Sequence, residues 1–165
     1  MFNIGDLIVY SGQGICRVDD ICDQTYAGVT RTYYVLHPLE NSHHLTINTP
    51  IENDQTSLMM KLIGQEEAEK ILESFNSEGI DWIEKPQLRN QVYKDILKTG
   101  NRMEIAKVAN SLLRKKHLVE KERKKFPEND SNLLRHIENI LFKELATALN
   151  TSFAAISEKI NSMVQ

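Results

Sequence analysis

The hydrophobic pattern of the chain changes once, close to Pro50, and this change limits the possible folds more than any other feature. Before it, short runs of β-branched and aromatic residues are separated by turn clusters at 12–14, 27–28 and 39–42. Four or five short antiparallel strands in fifty residues are too few for a sandwich but suffice for a small barrel. After Pro50, apolar residues recur at helical spacing. We therefore predict an α+β chain of two domains: a small Tudor-like (SH3-like) β-barrel at 1–52, a linker at 53–64, and an all-α domain of four to five helices at 65–165.

The ends of the predicted helices carry residues that favour helix boundaries. Pro86 suits the first turn of a helix, and Gly100 suits the position after its end. Asn101 and Glu104 have the spacing of a capping box that opens the next helix. The predicted helices cover 65–75, about 86–100, a third that begins near 101, about 131–150, and a short one after 151. The core-facing residues expected in the second helix are Leu88, Val92 and Ile96.

Charge is distributed unequally along the chain, although the net charge is only -3. Residues 1–60 contain two basic and seven acidic side chains and therefore carry -5, whereas 82–125 contains thirteen basic and five acidic side chains and carries +8. A polyanion suits the second segment, because each phosphate neutralised by Lys or Arg releases condensed counterions. A solvated helix surface would give the same composition, so charge alone leaves both interpretations open.

Motifs for catalysis, cofactors or metals are missing from the sequence. No phosphate-binding loop, dinucleotide fingerprint or nucleophile elbow occurs. The spacing of Cys16, Cys22, His37, His43 and His44 matches no compact metal-ligand pair, and the two cysteines are expected to be reduced thiols. The first residues do not form a signal peptide, and no run of eighteen apolar residues exists. We expect a cytoplasmic protein that is not an enzyme and needs neither cofactor nor metal.

Trp82 is the only tryptophan, and it stands outside every predicted helical stripe. It follows a polar loop and comes four residues before Pro86, at the edge of the basic segment. Two interpretations remain open. The ring could pack between helices, because large aromatic groups are usually buried. It could instead act as a wedge or stacking surface beside a nucleic-acid base step, as apolar side chains do in proteins that open or kink DNA.

An ordered series of strings resembles the CarD/CdnL family of bacterial transcription regulators. The opening MFNIGDLIVYSGQGICRVDDI is followed by the strand-like YYVL and LTINTP. In the second half, WIEKPQLRNQVYKDILKTGN is similar to the family's junction between tryptophan and helix. KVANSLLRKK and LFKELATALN resemble later helices. The resemblance covers about residues 1–150 and both predicted domains.

For the first domain, the resemblance implies a contact with RNA polymerase. In this family the N-terminal Tudor-like domain, shared with the transcription-repair coupling factor, binds the polymerase β-subunit. The positions that correspond to this contact are Gln24, Thr25, Tyr26 and Asn48. Better-known members have arginines at the positions of Gln24 and Asn48, so we expect a less electrostatic contact here.

For the second domain, the resemblance implies a contact with promoter DNA at the upstream edge of the melted region. Trp82 would lie in the minor groove, with Lys85 and Arg89 supporting it at the DNA backbone. The other basic residues expected at DNA are Arg114, Lys115, Lys116, Lys124 and Lys125. Such a protein would stabilise the open complex with little sequence specificity, as a nucleoid-associated monomer. An alternative from the charge pattern is an RNA-binding or ribosome-associated module that uses the same basic helices.

Overall fold

The computed structural model describes residues 1–11, 13–40, 43–55 and 58–165 and divides into two compact units. We call Met1–Leu62 the β unit and Ile63–Gln165 the helical unit. The predicted order of a β-domain followed by an all-α domain is confirmed. Gly12, in the first predicted turn, and 41–42, in the third, lie outside the described residues.

The β unit is a five-stranded antiparallel sheet. Its strands are β1 (Leu7–Tyr10), β2 (Gly14–Tyr26), β3 (Val29–Pro38), β4 (Ile47–Pro50) and β5 (Met59–Lys61), in the spatial order β4-β3-β2-β1-β5. A 3-10 helix, Ile51–Gln55, follows β4, and β5 then pairs with β1 at the opposite edge of the sheet. The buried core of this unit consists of Ile8, Cys16, Val18, Tyr34, Leu36 and Met59.

Two local features shape the long hairpin of β2 and β3. Ala27 and Gly28 both have positive φ, of 50° and 77°, and this conformation of a two-residue turn matches the right-handed twist of a hairpin. A β-bulge shifts the register between Val18 and Asp20. Without that extra residue, strict alternation would place Val18 and Ile21 on opposite faces of the strand, whereas the bulge allows both to pack against the core.

The segment predicted as a linker, 53–64, differs from that expectation. Strand β5 lies inside it, and the backbone amide of Leu62 donates to the carbonyl of Leu7 over 3.3 Å. The β unit therefore extends ten residues beyond the predicted boundary at 52. A three-residue strand is too short to produce a recognisable alternating pattern, and its place in the sheet depends on pairing with the distant β1.

The helical unit is built around one buried core. Its elements are α1 (Gln65–Glu73), a 3-10 turn (Ser74–Asn76), α2 (Pro86–Lys98), α3 (Arg102–Lys121), α4 (Glu128–Ile137), a π-helical segment (Glu138–Phe142), α5 (Lys143–Ala148) and α6 (Phe153–Val164). Pro86 opens α2, as predicted, and the Asn101 side chain caps α3 by accepting from the Glu104 amide over 3.2 Å. Of the helices that the structure describes, none is both long and apolar enough to cross a bilayer.

Helix α2 is rotated about its axis relative to the predicted stripe. Leu88 is 52% exposed, whereas Arg89 and Tyr93 are buried. Val92 and Ile96 pack partly buried at the edge of the core. A charged residue therefore occupies a position that the hydrophobic pattern assigned to solvent, and this rotation determines how the neighbouring loop is built.

Candidate functional site

Trp82 lies in the loop between the 3-10 turn and α2, at the edge of the helical core. Its ring is half-buried and meets Tyr93 edge-on, with the ring centroids 6.3 Å apart. The exposed part of the ring lines a shallow groove of about 400 Å³. We call this the Trp82 groove; it is formed by loop residues within 78–84 and by Ser111, Arg114, Lys115 and Leu118 of α3.

Two cationic side chains approach the indole. The guanidinium carbon of Arg89 lies 4.3 Å from the ring centroid, and the ammonium nitrogen of Lys115 lies 5.4 Å from it. Both distances are within the range in which the quadrupole of an indole ring attracts a cation. The two cations differ in exposure: Arg89 is only 4% exposed, whereas Lys115 is partly exposed to solvent at the groove.

The Arg89 guanidinium is held on several sides. Its Nε and Nη2 donate to the two carboxylate oxygens of Asp130, over 2.9 and 2.6 Å. Its Nη1 donates to the carbonyls of Ile83 and Glu84, over 2.8 and 3.3 Å. A bidentate pair with a carboxylate satisfies a buried guanidinium well, because the fork of donors matches the two oxygens.

Helix α3 fixes the first half of the Trp82 loop. The Ser111 hydroxyl donates to the Ile80 carbonyl, and the Ile80 amide donates to the Lys107 carbonyl over 3.3 Å. A side chain at Gly79 would not fit, because a Cβ there would lie 2.5 Å from Ser111 Oγ, 2.8 Å from its amide nitrogen, and still closer to the Lys107 carbonyl oxygen. Glycine is therefore needed at this position for close approach.

The turn before the loop is held by two further polar side chains of α3. Asn110 Nδ2 donates to the Ser77 carbonyl over 2.8 Å. Arg114 Nη2 donates to the carbonyls of Phe75 and Ser77, over 3.0 and 3.1 Å, and its Nε donates to Asn110 Oδ1 over 2.7 Å. At the other end of the loop, the Tyr93 hydroxyl donates to the Asp81 carbonyl over 3.2 Å. The backbone that carries Trp82 is thus bonded to fixed helices on both sides of the ring.

The Trp82 groove has two rims of opposite charge. Glu78, Asp81 and Glu84 line it on the loop side, whereas Arg114 and Lys115 line it on the α3 side. Leu118, which is 58% exposed, adds an apolar surface beside Lys115. A phosphate chain would therefore be attracted to the α3 rim and repelled by the loop rim.

The structure brings only some of the residues predicted at DNA to one place. Trp82, Arg114 and Lys115 all line the groove. Part of the Arg114 guanidinium is already engaged, because its Nη2 donates to backbone carbonyls. Lys85 is exposed at the N-cap of α2. Lys124 and Lys125 are exposed in the turn after α3, where Lys124 pairs with Glu122 over 3.4 Å.

One of these predictions needs correction. Arg89 was expected at the DNA backbone, but its side chain is buried and bonded to Asp130 and the loop, so it cannot reach a phosphate in this conformation. Lys116 follows Lys115 directly, but consecutive helical residues project about 100° apart, and Lys116 does not line the Trp82 groove. It is half-exposed, so its contact with DNA stays a prediction. The positive charge of Lys116 also acts on Glu138 of the π-helical segment: burial raises the pKa of this carboxyl, and Lys116 and Arg135 offset part of the rise.

The residues predicted at polymerase lie mainly on one face of the sheet. Gln24 Nε2 donates to Asn48 Oδ1 over 3.3 Å, and the Tyr26 hydroxyl donates to Gln24 Oε1. Thr25 is the exception, because alternation along β2 turns it to the opposite face, where its hydroxyl bonds to that of Thr30 over 2.7 Å.

Two residues that sequence reasoning missed share the face of Gln24 and Tyr26. Arg31 is the cross-strand partner of Gln24, and Tyr33 packs edge-on against Tyr26 with centroids 5.5 Å apart. We call the surface formed by Gln24, Tyr26, Arg31, Tyr33 and Asn48 the tyrosine face. The alternation of β3 could have revealed both residues, because Tyr34 and Leu36 are fully buried and their odd-numbered neighbours must point the other way. Arg31 adds a positive charge to a face for which the sequence predicted a less electrostatic contact.

The chain is thus a two-unit protein, in which a β unit with an exposed polar and aromatic face precedes a helical unit with a charged groove. Two family models match the chain: the CarD-like/TRCF RID domain over residues 2–63 and the CarD C-terminal domain over residues 63–161. The chain therefore belongs to the CarD family. The predicted resemblance is confirmed, and the chain is an RNA polymerase-interacting transcription regulator.

Proposed function

We propose that this regulator binds the β-subunit of RNA polymerase through the tyrosine face and promoter DNA through the Trp82 groove. Binding at the upstream edge of the melted region would stabilise the open complex relative to the closed one, because a ligand shifts an equilibrium by its differential affinity for the two states. The single observation that carries the proposal is the way the half-buried Trp82 ring is presented at a groove with one basic rim.

The fixed backbone around Trp82 supports a role as a wedge. Carbonyls on both sides of the ring accept hydrogen bonds from α2 and α3, so the ring is held before DNA arrives. A preorganised contact avoids the entropy cost of ordering a loop on binding. An apolar surface that remains open beside such a ring is what is needed to meet an unstacked base step.

The two rims of the groove indicate how DNA would lie. Lys115 and Leu118 on the α3 side offer a cation and an apolar contact, which suit a phosphate and a sugar of one strand. Glu78, Asp81 and Glu84 would keep phosphates away from the opposite rim. Because none of these contacts reads a base edge, binding should be tolerant of sequence and sensitive to salt.

The proposal is tested by comparing three nucleic acids with the full-length protein. Binding to duplex DNA, to fork-junction DNA and to RNA is measured at two salt concentrations, with and without polymerase. We expect preference for the fork junction when polymerase is present and a steep salt dependence in every case. Preference for RNA over both DNA forms would favour the alternative of an RNA-binding or ribosome-associated module.

The polymerase contact is tested separately by titrating the protein with the isolated β-subunit. The tyrosine face offers neutral hydrogen-bonding groups, two rings and one arginine, so we expect binding that depends only weakly on salt. A steep salt dependence, or binding to another subunit only, would contradict the assignment of this face.

A further inference from the structure

Asp130, Arg89 and Trp82 form a chain of contacts that joins three separate parts of the helical unit. Asp130 lies in the first turn of α4, Arg89 lies in α2, and Trp82 lies in the loop before α2. The Asp130 carboxylate accepts two hydrogen bonds from the Arg89 guanidinium, whose central carbon lies 4.3 Å from the Trp82 ring centroid. Asp130 is 3% exposed, so neither charge of the pair meets bulk solvent.

Arg89 controls the backbone of Trp82 as well as its ring. The same guanidinium that faces the indole donates to the carbonyls of Ile83 and Glu84, the two residues that follow Trp82. A movement of the guanidinium would therefore change both the position of the ring and the course of the chain beside it. Arginine is suited to this task because its planar group can bond in its plane while it meets an aromatic ring across its face.

Asp130 decides where that guanidinium sits. Without a buried carboxylate, an arginine at this position would be an uncompensated buried charge and would move toward solvent. The first turn of α4 is a favourable place for the carboxylate, because the helix dipole stabilises a negative charge there.

We propose that Asp130 is a positioning residue that sets the orientation of Trp82 at the groove through Arg89. This proposal rests on the function proposed above, because it concerns the ring that would meet DNA. It predicts that neutralising a buried carboxylate more than forty positions along the chain changes the exposure of the ring and the lifetime of the open complex.

The chain provides a matched control in a second bidentate ion pair, in which the carboxylate is buried and the guanidinium is 15% exposed. Arg102 of α3 donates to Glu144 of α5 from Nε over 3.1 Å and from Nη2 over 2.9 Å. Glu144 is 1% exposed and also accepts from the Ile63 amide over 3.3 Å, at the start of the helical unit. This pair has the same chemistry as Arg89 and Asp130, but its carboxylate holds a different part of the core.

The experiment compares full-length Asp130→Asn with Glu144→Gln. Trp82 is the only tryptophan, so intrinsic fluorescence reports one ring in the whole protein. Both variants should melt earlier than the parent, because each loses a buried carboxylate charge that pairs with an arginine. Only Asp130→Asn should change the emission maximum and increase quenching by acrylamide. In the same variant the lifetime of open complexes should fall about fivefold, as expected when a contact of the cation–π class is weakened.

Arg89→Lys is a second variant that keeps the positive charge. It retains an ion pair with Asp130 but loses the planar fork and the simultaneous bonds to the loop carbonyls. If Asp130→Asn fails to fold, Arg89→Lys decides the matter, and it should change Trp82 fluorescence in the same direction. Unchanged fluorescence in the variants that fold, or an equal change in Glu144→Gln, would overturn the proposal.

The outcome is separable from the function proposed above. If Trp82→Ala leaves the open-complex lifetime unchanged, the wedge function fails, whereas the fluorescence comparison still decides whether Asp130 positions the ring. If Trp82→Ala shortens the lifetime but Asp130→Asn changes neither lifetime nor fluorescence, the wedge stands and the positioning role is wrong.

Discussion

The tyrosine face and the Trp82 groove are built in different ways. The tyrosine face consists of side chains that strand alternation places on the outside of a sheet, and they bond mainly to one another at the surface. The Trp82 groove depends on side chains behind it, including a buried ion pair and a glycine with no room for a Cβ. The tyrosine face should therefore tolerate substitutions at residues outside it. The Trp82 groove should instead be disrupted by substitutions at buried residues that make no contact with a binding partner.

The largest expected effect is that of Trp82→Ala. Loss of stacking on a base is expected to shorten the open-complex lifetime about tenfold, the effect of ~1.4 kcal/mol, which lies in the usual range for one base on one aromatic ring. Because the ring is only half-buried, the free energy of unfolding should fall by about 2 kcal/mol, less than the ~3–5 kcal/mol typical of a fully buried aromatic residue.

Lifetime assays and melting curves check this prediction together. Trp82→Phe should retain part of the lifetime, because a smaller ring still presents an apolar face. Polymerase affinity should be unchanged in both variants. A large loss of stability with no change in lifetime would show that Trp82 is only a packing residue.

Gly79→Ala tests whether the groove depends on its internal support. The added methyl group would meet Ser111 and the Lys107 carbonyl, so the loop must shift at a cost of about 1–3 kcal/mol, as in other overpacked sites. DNA binding should weaken, although Gly79 carries no side chain for a contact. Gly64→Ala is the control, since a Cβ there meets nothing within 4 Å and its φ of -76° suits any residue. Gly64 is the N-cap of α1, where alanine is less favourable than glycine, so we expect a small loss of stability in the control and a larger one in Gly79→Ala. Equal melting temperatures for the two variants would contradict the close approach.

Tyr26→Ala and Thr25→Ala separate the two faces of β2. Tyr26 is 51% exposed on the tyrosine face, so its loss should weaken β-subunit binding by about 1 kcal/mol or more, as for other aromatic interface anchors. Thr25 points to the opposite face, and its loss should have little effect on binding. Affinities measured by titration check this, and a larger effect of Thr25→Ala would mean that the polymerase contact involves the other face of the hairpin.

Lys115→Gln and Lys116→Gln compare neighbouring residues with different surroundings. Lys115 stands at the groove, whereas Lys116 acts on Glu138. Loss of one phosphate contact should lower the slope of log affinity against log salt by about one. We expect that change for Lys115→Gln and not for Lys116→Gln, in titrations with fork-junction DNA. The same slope in both variants would argue for a diffuse basic surface.

The smallest expected effect is a difference in acid response between the units. The hydrogen bond from Arg17, with further help from His37, lowers the pKa of Asp19 from its ordinary value of 3.8. Asp19 therefore contributes stability to the β unit that is full above pH 3.8 and is lost as the pH falls through the lower folded-state pKa. Asp19→Asn should remove this part of the acid sensitivity, as measured by hydrogen exchange in β2.

The contribution of Glu138 to stability depends on pH in the opposite direction to that of Asp19. Burial raises its pKa above the ordinary value of 4.5, so its contribution is full below pH 4.5 and is lost as the pH rises through the folded-state pKa. Glu138→Gln should therefore raise the melting temperature of the helical unit slightly at neutral pH. Trp82 fluorescence during heating measures this change. A lower melting temperature would mean that the attraction of Lys116 and Arg135 outweighs burial.

Much of the fold follows from local sequence, because the physics involved is local. Alternation specifies the strands, Ala27 and Gly28 specify the hairpin turn, and Asn101 caps α3 through an amide three residues away. The position of Trp82 between a polar loop and Pro86 was also enough to single it out, although the same pattern fits a packing residue. Strand β5 was missed because three residues gain a place in a sheet only by pairing with a distant strand.

The sequence by itself determined the order of the two domains and the basic stretch at 82–125, and it singled out Trp82 as a candidate to meet a base. Only the tertiary structure decided which basic residues are buried and which remain at the surface. Net charge says nothing about burial, because a buried guanidinium needs a carboxylate at the right point in space, and Arg89 finds it in Asp130, on another helix. Helix geometry sets Lys115 and Lys116 about 100° apart around α3, but the packing of α3 decides that Lys115 lies at the groove and Lys116 does not.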